Sequence, residues 1–124
     1  ESLKSLNLTD VALTGLDVSK NAALEQLCAE GLQLDTLDLR SNPKISYLIN
    51  DSDSFKEIRL PENNNVTMLR WTNSVVTEFP VTNLNPETLT GIDIQGTAIK
   101  ELDVSGYPNL EHLYYDEDVT EIMR

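Results

Sequence analysis

The sequence predicts a mainly-β solenoid: about six stacked coils of 21 residues, a short parallel strand on each long side, and little or no helix. Three observations carry that prediction. One spacing, apolar-x-x-apolar-x-apolar, occurs twelve times, starting at Leu3, Leu13, Leu24, Leu34, Ile45, Phe55, Val66, Val76, Leu89, Ile99, Leu110 and Val119. Every second copy lies 21 residues on, as from Leu13 to Leu34, Phe55 and Val76. Of the 36 positions so defined, 34 are apolar or aromatic, and the exceptions are Asn50 and Arg124. A fixed period along a whole chain marks an array in which each repeat buries its apolar face only against its neighbours.

The strands follow from the second half of each copy. In Leu13-Thr-Gly-Leu16-Asp17-Val18 and Ile99-Lys-Glu-Leu102-Asp103-Val104 the fourth and sixth positions point inward and their neighbours outward. That is the period of two of a half-buried strand. Successive copies start 9 to 13 residues apart, which leaves no room for a helix between them. The coil therefore has two long sides, fed by alternate copies.

The bends carry turn chemistry. Asn21, Asn42 and Asn63 each follow the last core position of a copy by three residues, and an inward amide there can satisfy backbone groups. Tyr107 takes the same place after Val104. Pro43, Pro108, Gly31, Gly96 and Gly106 also fall in bends, outside the strand cores. The bend from Thr82 to Thr88 stretches one repeat to 23 residues and reads as a bulge.

Residues 1–124 read as a single domain with no compositional break. The chain opens on Glu1 directly inside a repeat and shows no capping segment at either end, so it reads as a piece of a longer protein. Its net charge of −12, from 21 acidic and 9 basic residues, opposes nucleic acid and anionic membranes. No run of 18 apolar residues exists to cross a membrane as a helix. The single cysteine, Cys28, excludes an internal disulfide and CxxC-type metal spacing.

The segments LTGLDVSKNAALEQL, LDTLDLRSNPKISYL and IKELDVSGYPNLEHL resemble leucine-rich repeats, in particular the nested 21-residue class of bacterial secreted and cell-surface proteins. Internalin-like adhesins are similar at greater distance. The resemblance spans essentially the whole chain. It implies a right-handed curved solenoid and a protein-binding or adhesive role outside the cell, and it implies no reaction. The nested class often places cysteine at the sixth position of alternate copies, where this chain has Ala29, Asn50, Trp71 and Tyr115.

Chemistry is sparse. Cys28 and His112 fall on the same side but four rungs apart, roughly 19 Å at the usual strand spacing, too far for a thiol–imidazole pair. Outward acids Glu57, Glu78, Glu101 and Glu121 form an expected column on one side, beside Asp17, Asp38, Arg59 and Asp103. Ca²⁺ needs six to eight converging oxygens, whereas ladder side chains diverge into solvent. The expectation is a non-catalytic chain without metal or cofactor. Three glycosylation sequons, at Asn7, Asn50 and Asn65, read as incidental, Asn50 being expected to face inward.

The two sides differ, and this is the functional hint. One repeats Leu-Asp-Val or Leu-Asp-Leu. The other presents Tyr47 and Ile49, then Met68 and Arg70, then Gly91 and Asp93, then His112 and Tyr114. Aromatic, methionine and arginine side chains are the types enriched at interface cores. Tyr47, Ile49, Met68, Arg70, His112 and Tyr114 are therefore the candidate partner-binding residues, with Gly91 expected to leave a shallow notch between bulky walls. The sequence expectation is a protein-recognition or adhesive module. A glycan-binding module, a passive spacer and a carboxylate-dependent polysaccharide enzyme remain as alternatives.

Overall fold

The computed structural model describes residues 3–8, 15–31, 35–51, 57–74, 76–78 and 83–123. The expected core positions Leu13, Leu34, Phe55, Phe79, Val81 and Arg124, and the start of the long bend at Thr82, lie outside the described residues. The described residues form strands and turns without a helix, so none is long and apolar enough to cross a membrane.

Coils of about 21 residues stack into a β-solenoid of about five turns. One long side is a parallel six-stranded sheet of β1 (Ser5–Leu8), β2 (Gln26–Glu30), β4 (Tyr47–Asp51), β6 (Met68–Thr72), β7 (Gly91–Asp93) and β9 (His112–Tyr114), in that order. The other carries two separate parallel pairs, β3 (Thr36–Asp38) with β5 (Glu57–Arg59) and β8 (Glu101–Asp103) with β10 (Glu121–Met123). The register is the one the repeat dictates. Leu6, Leu27, Leu48, Leu69, Ile92 and Leu113 stand opposite one another from rung to rung.

The inward positions of both sides meet in one thin core. Leu24, Leu27, Ile45, Leu48, Val66, Leu69 and Leu89 from the first side and Leu37, Leu39, Ile58, Ile99 and Leu102 from the second are all buried. No second layer is needed, because each rung is covered above and below by its neighbours. Tyr115 departs from the pattern. It occupies the register position of the buried Trp71 yet is exposed, because β9 is the outer strand of the sheet.

The bends explain how the chain turns without leaving polar groups stranded. At Asn21, Asn42 and Tyr107 the same two bonds recur. The residue's own N–H donates back to the last core carbonyl (Val18, Leu39, Val104), and its carbonyl accepts from the next copy's first residue (Leu24, Ile45, Leu110). Buried Asn42 also donates Nδ2 to the carbonyls of Val18 (3.0 Å) and Asn21 (2.9 Å) in the coil below. Asn63 does not do this. It is exposed at φ 55°, and that left-handed residue carries the chain round one position later. The inward amide is thus Asn64, donating to Pro61 O (3.2 Å) and Asn83 O (2.8 Å).

The longer repeat leaves the sheet intact. Met68 pairs with Gly91 and Leu69 with Ile92, a step of 23 residues with unbroken register. The two extra residues are taken up in a tight turn, where Asn85 O accepts from Thr88 and Leu89 N–H and Asn85 Oδ1 from Glu87 N–H.

Two expectations about the acidic side are corrected. Glu78 lies exposed in a bend outside any described strand, near Glu101, and β5 and β8 belong to different sheets, so continuous strand pairing does not carry a column from Glu57 through Glu78 to Glu101 among the described residues. The recurrent aspartate of the Leu-Asp motif is also not simply a solvated charge. Asp17, Asp38 and Asp103 each accept the backbone N–H two residues on (Ser19, Arg40, Ser105) at 2.9–3.1 Å, and Asp93 of β7, on the other side, does the same with Gln95 at 3.0 Å. The motif repeats because a short side chain at the strand end closes the turn on itself.

Candidate functional site

The outward face of the six-stranded sheet brings the candidate residues together as the register required. Tyr47 stands beside Met68 and Ile49 beside Arg70. Met68 is followed by Gly91 and His112 in one column, and Arg70 by Asp93 and Tyr114 in the next. Two columns of side chains thus run across four rungs, each rung about 4.8 Å from the next.

Their exposures divide them. Tyr47 (37%) and Tyr114 (48%) are the exposed large side chains of the face, with Arg70 and His112 also exposed. Ile49 and Met68 are half-buried. The expected notch at Gly91 is absent. Gly91 is buried, and a Cβ built on it would collide with Sδ of Met68, whose side chain lies across the glycine. The missing side chain is filled by the thioether of the adjacent rung, as suits an unbranched, adaptable residue. The face is a continuous surface from Tyr47 to Tyr114 rather than two walls around a gap.

At its far end the face is aromatic and charged. The rings of His112 and Tyr114 are parallel to within 2°, with centroids 6.3 Å apart, because residues two apart on a strand project to the same side. Asp93 is nearly buried beside them, and its Oδ2 lies 3.6 Å from Nε of Arg70. Glu111 Oε2 is 4.0 Å from His112 Nε2.

At the other end of the strands Asp51 Oδ1 accepts from Thr72 Oγ1 (3.3 Å) and Asn73 Nδ2 (2.8 Å), with Glu30 next to Asp51 in register. Among the described residues no group of three or more His, Cys, Asp or Glu side chains converges as a metal site would require. Cys28 lies on this same face, half-buried in β2, with three strands' width of other side chains between it and His112 in β9. Comparisons with protein-family models, curated proteins and solved structures found no match.

Sequence reasoning overlooked the Met68–Gly91 contact and the turn-closing aspartates. The second was legible: aspartate followed two residues later by a small or polar residue recurs at Asp17, Asp38, Asp93 and Asp103. The first was not, since nothing in a spacing pattern says which way a methionine lies.

Proposed function

We propose that this chain is a non-catalytic recognition module, a leucine-rich-repeat array of the nested 21-residue class from a bacterial secreted or cell-surface protein, and that it binds another protein through the outward face of its six-stranded sheet. The observation that carries the reading is the exposure of Tyr47, Arg70, His112 and Tyr114 together on one face of the six-stranded sheet. Tyrosine is among the side chains that interfaces draw on most, and here Tyr47 and Tyr114 rest on strands whose core residues fix their positions. Among the described residues the opposite side presents mainly short turn aspartates, exposed glutamates and ion pairs, without exposed aromatic rings.

The reading is tested by fishing with the immobilised chain in secreted or cell-surface protein mixtures and identifying what is retained. Tyr47→Ala and Tyr114→Ala should each weaken the retained partner by roughly 1–2 kcal/mol or more. Asp38→Ala and Glu101→Ala, on the opposite side, should be close to neutral. A partner whose affinity follows the second pair of changes and ignores the first would sink the proposal. Turnover of a polysaccharide that disappears in Glu78→Gln or Glu101→Gln would replace it with an enzyme.

A further inference from the structure

We infer that the partner of this face is a basic protein segment presenting arginine to the His112–Tyr114 ring pair, and that Arg70 occupies in the free protein the Asp93 carboxylate which the partner's guanidinium takes. The inference rests on the recognition reading above and adds the partner's chemistry.

Geometry comes first. The two rings are parallel to within 2° and exposed, so a planar group lying parallel to one lies parallel to the other. A guanidinium is planar, weakly hydrated and stacks on aromatic faces, whereas an ammonium is a compact and strongly hydrated point charge. Carboxylates stand on neighbouring positions. Asp93 stands next to Tyr114 in register, Glu111 precedes His112 in the chain, and Asp116 accepts the Gly96 N–H from just beyond β9. A forked cation stacked here has the Glu111 carboxylate beside His112 and the Asp93 carboxylate one rung from Tyr114.

The existing ion pair shows how such a cation is held, and how weakly. Arg70 Nε is 3.6 Å from Asp93 Oδ2, beyond ordinary hydrogen-bond distance, and about half of the arginine side chain is exposed. It is a placeholder that a better-placed guanidinium can displace. The other described ion-paired cations are occupied away from the face: Arg40 with Asp38, Arg59 with Glu57 and Lys100 with Asp118. The chain as a whole carries −12. Long-range attraction therefore favours a cationic segment, leaves a neutral glycan indifferent and repels an acidic peptide.

The experiment titrates the folded chain with four labelled probes: a short arginine-glycine-serine peptide, its lysine and glutamate counterparts, and a neutral oligosaccharide. Arginine should bind tighter than lysine, and glutamate and sugar should not bind. Tyr114→Leu, which keeps bulk but loses the aromatic face, and His112→Ala should each weaken the arginine peptide about two- to fivefold, the scale of an exposed cation–π contact. Arg70→Ala should tighten it about two- to fivefold, the factor of an exposed ion pair released to the ligand. Lys100→Ala removes the same charge from the other side and sets the baseline. Thermal melts of each variant confirm folding.

Four results overturn the inference: equal binding of arginine and lysine, indifference to Tyr114→Leu, Arg70→Ala no tighter than Lys100→Ala, or no binding of the arginine peptide at all. Binding of the oligosaccharide through Tyr114 also overturns it while leaving the recognition face in place. Arginine binding that follows Asp38 and Glu101 instead removes both readings.

Discussion

Gly96 stands against the backbone of Asn73 with no room for a side chain. A Cβ there would lie 3.0 Å from the Asn73 nitrogen and 3.1 Å from its Cα, and would overlap Oδ1. Both residues are left-handed, at φ 74° and 53°, and the Asn73 N–H donates to Gln95 O. Gly96→Ala therefore meets backbone that cannot move and a conformation that alanine resists. It should cost about 1–3 kcal/mol. Gly91→Ala meets only the end of the Met68 side chain, which can swing away, and should stay within about 1 kcal/mol while exposing Met68. Urea unfolding of the two variants checks the contrast, and equal losses would contradict it.

The ladder from Leu6 to Leu113 is legible in the amino-acid sequence, because burial by neighbouring coils forces apolar residues into fixed positions. Even the 23-residue repeat keeps its register, since the pattern resumes at Leu89. The features that escape the sequence depend on local geometry that apolar spacing does not encode. Asn63 and Asn64 are chemically identical, and only the left-handed turn at Asn63 decides which faces inward. Gly91 predicts a gap only if its neighbours stay upright, and Met68 does not. The acidic side looks like one ladder because periodicity says which residues share a side, not whether their strands pair. The face itself is legible from its unequal composition, whereas its partner leaves no mark on periodicity.

Buried amides on the two kinds of position should respond in opposite ways. Asn50 is 1% exposed between Ala29 and Trp71, and neither of its amide atoms has a hydrogen-bond partner among the described residues. Asn50→Leu removes that desolvation cost, with small Ala29 beside it, and should stabilise by about 1–2 kcal/mol. Asn42→Leu removes two bonds that tie one coil to the next and should destabilise by about 1–3 kcal/mol. Denaturant midpoints decide the matter. Loss of stability in Asn50→Leu would show that the amide is satisfied in solution.

Stacking also predicts where truncation hurts. Leu37 and Leu69 are fully buried, so Leu37→Ala or Leu69→Ala should cost on the order of 2–5 kcal/mol. Ile122 lies in β10, paired with β8, and is only half-buried. Ile122→Ala should cost well under half as much, because a half-buried side chain loses fewer packed contacts. Equal losses in equilibrium melts would contradict a stacked array.

Acid should find the turn aspartates. Asp38 accepts Nε (2.9 Å) and Nη2 (2.8 Å) of Arg40 and the Arg40 backbone N–H, and these bonds lower its pKa from 3.8 to about 2. Asp17 and Asp103 are lowered by Ser19 and Ser105, and Asp118 by Lys100. A carboxyl group whose folded pKa lies below its unfolded one stabilises the fold above the unfolded value, and that contribution disappears as pH falls through the folded value. For Asp38 the window runs from 3.8 down to about 2. The stability difference between the parent chain and Asp38→Asn should therefore be constant at higher pH and shrink across that window. Taking the difference cancels the relief of net negative charge that acid brings to both proteins. Urea melts at several acid pH values measure it, and a difference that widens as pH falls would reverse the assigned linkage.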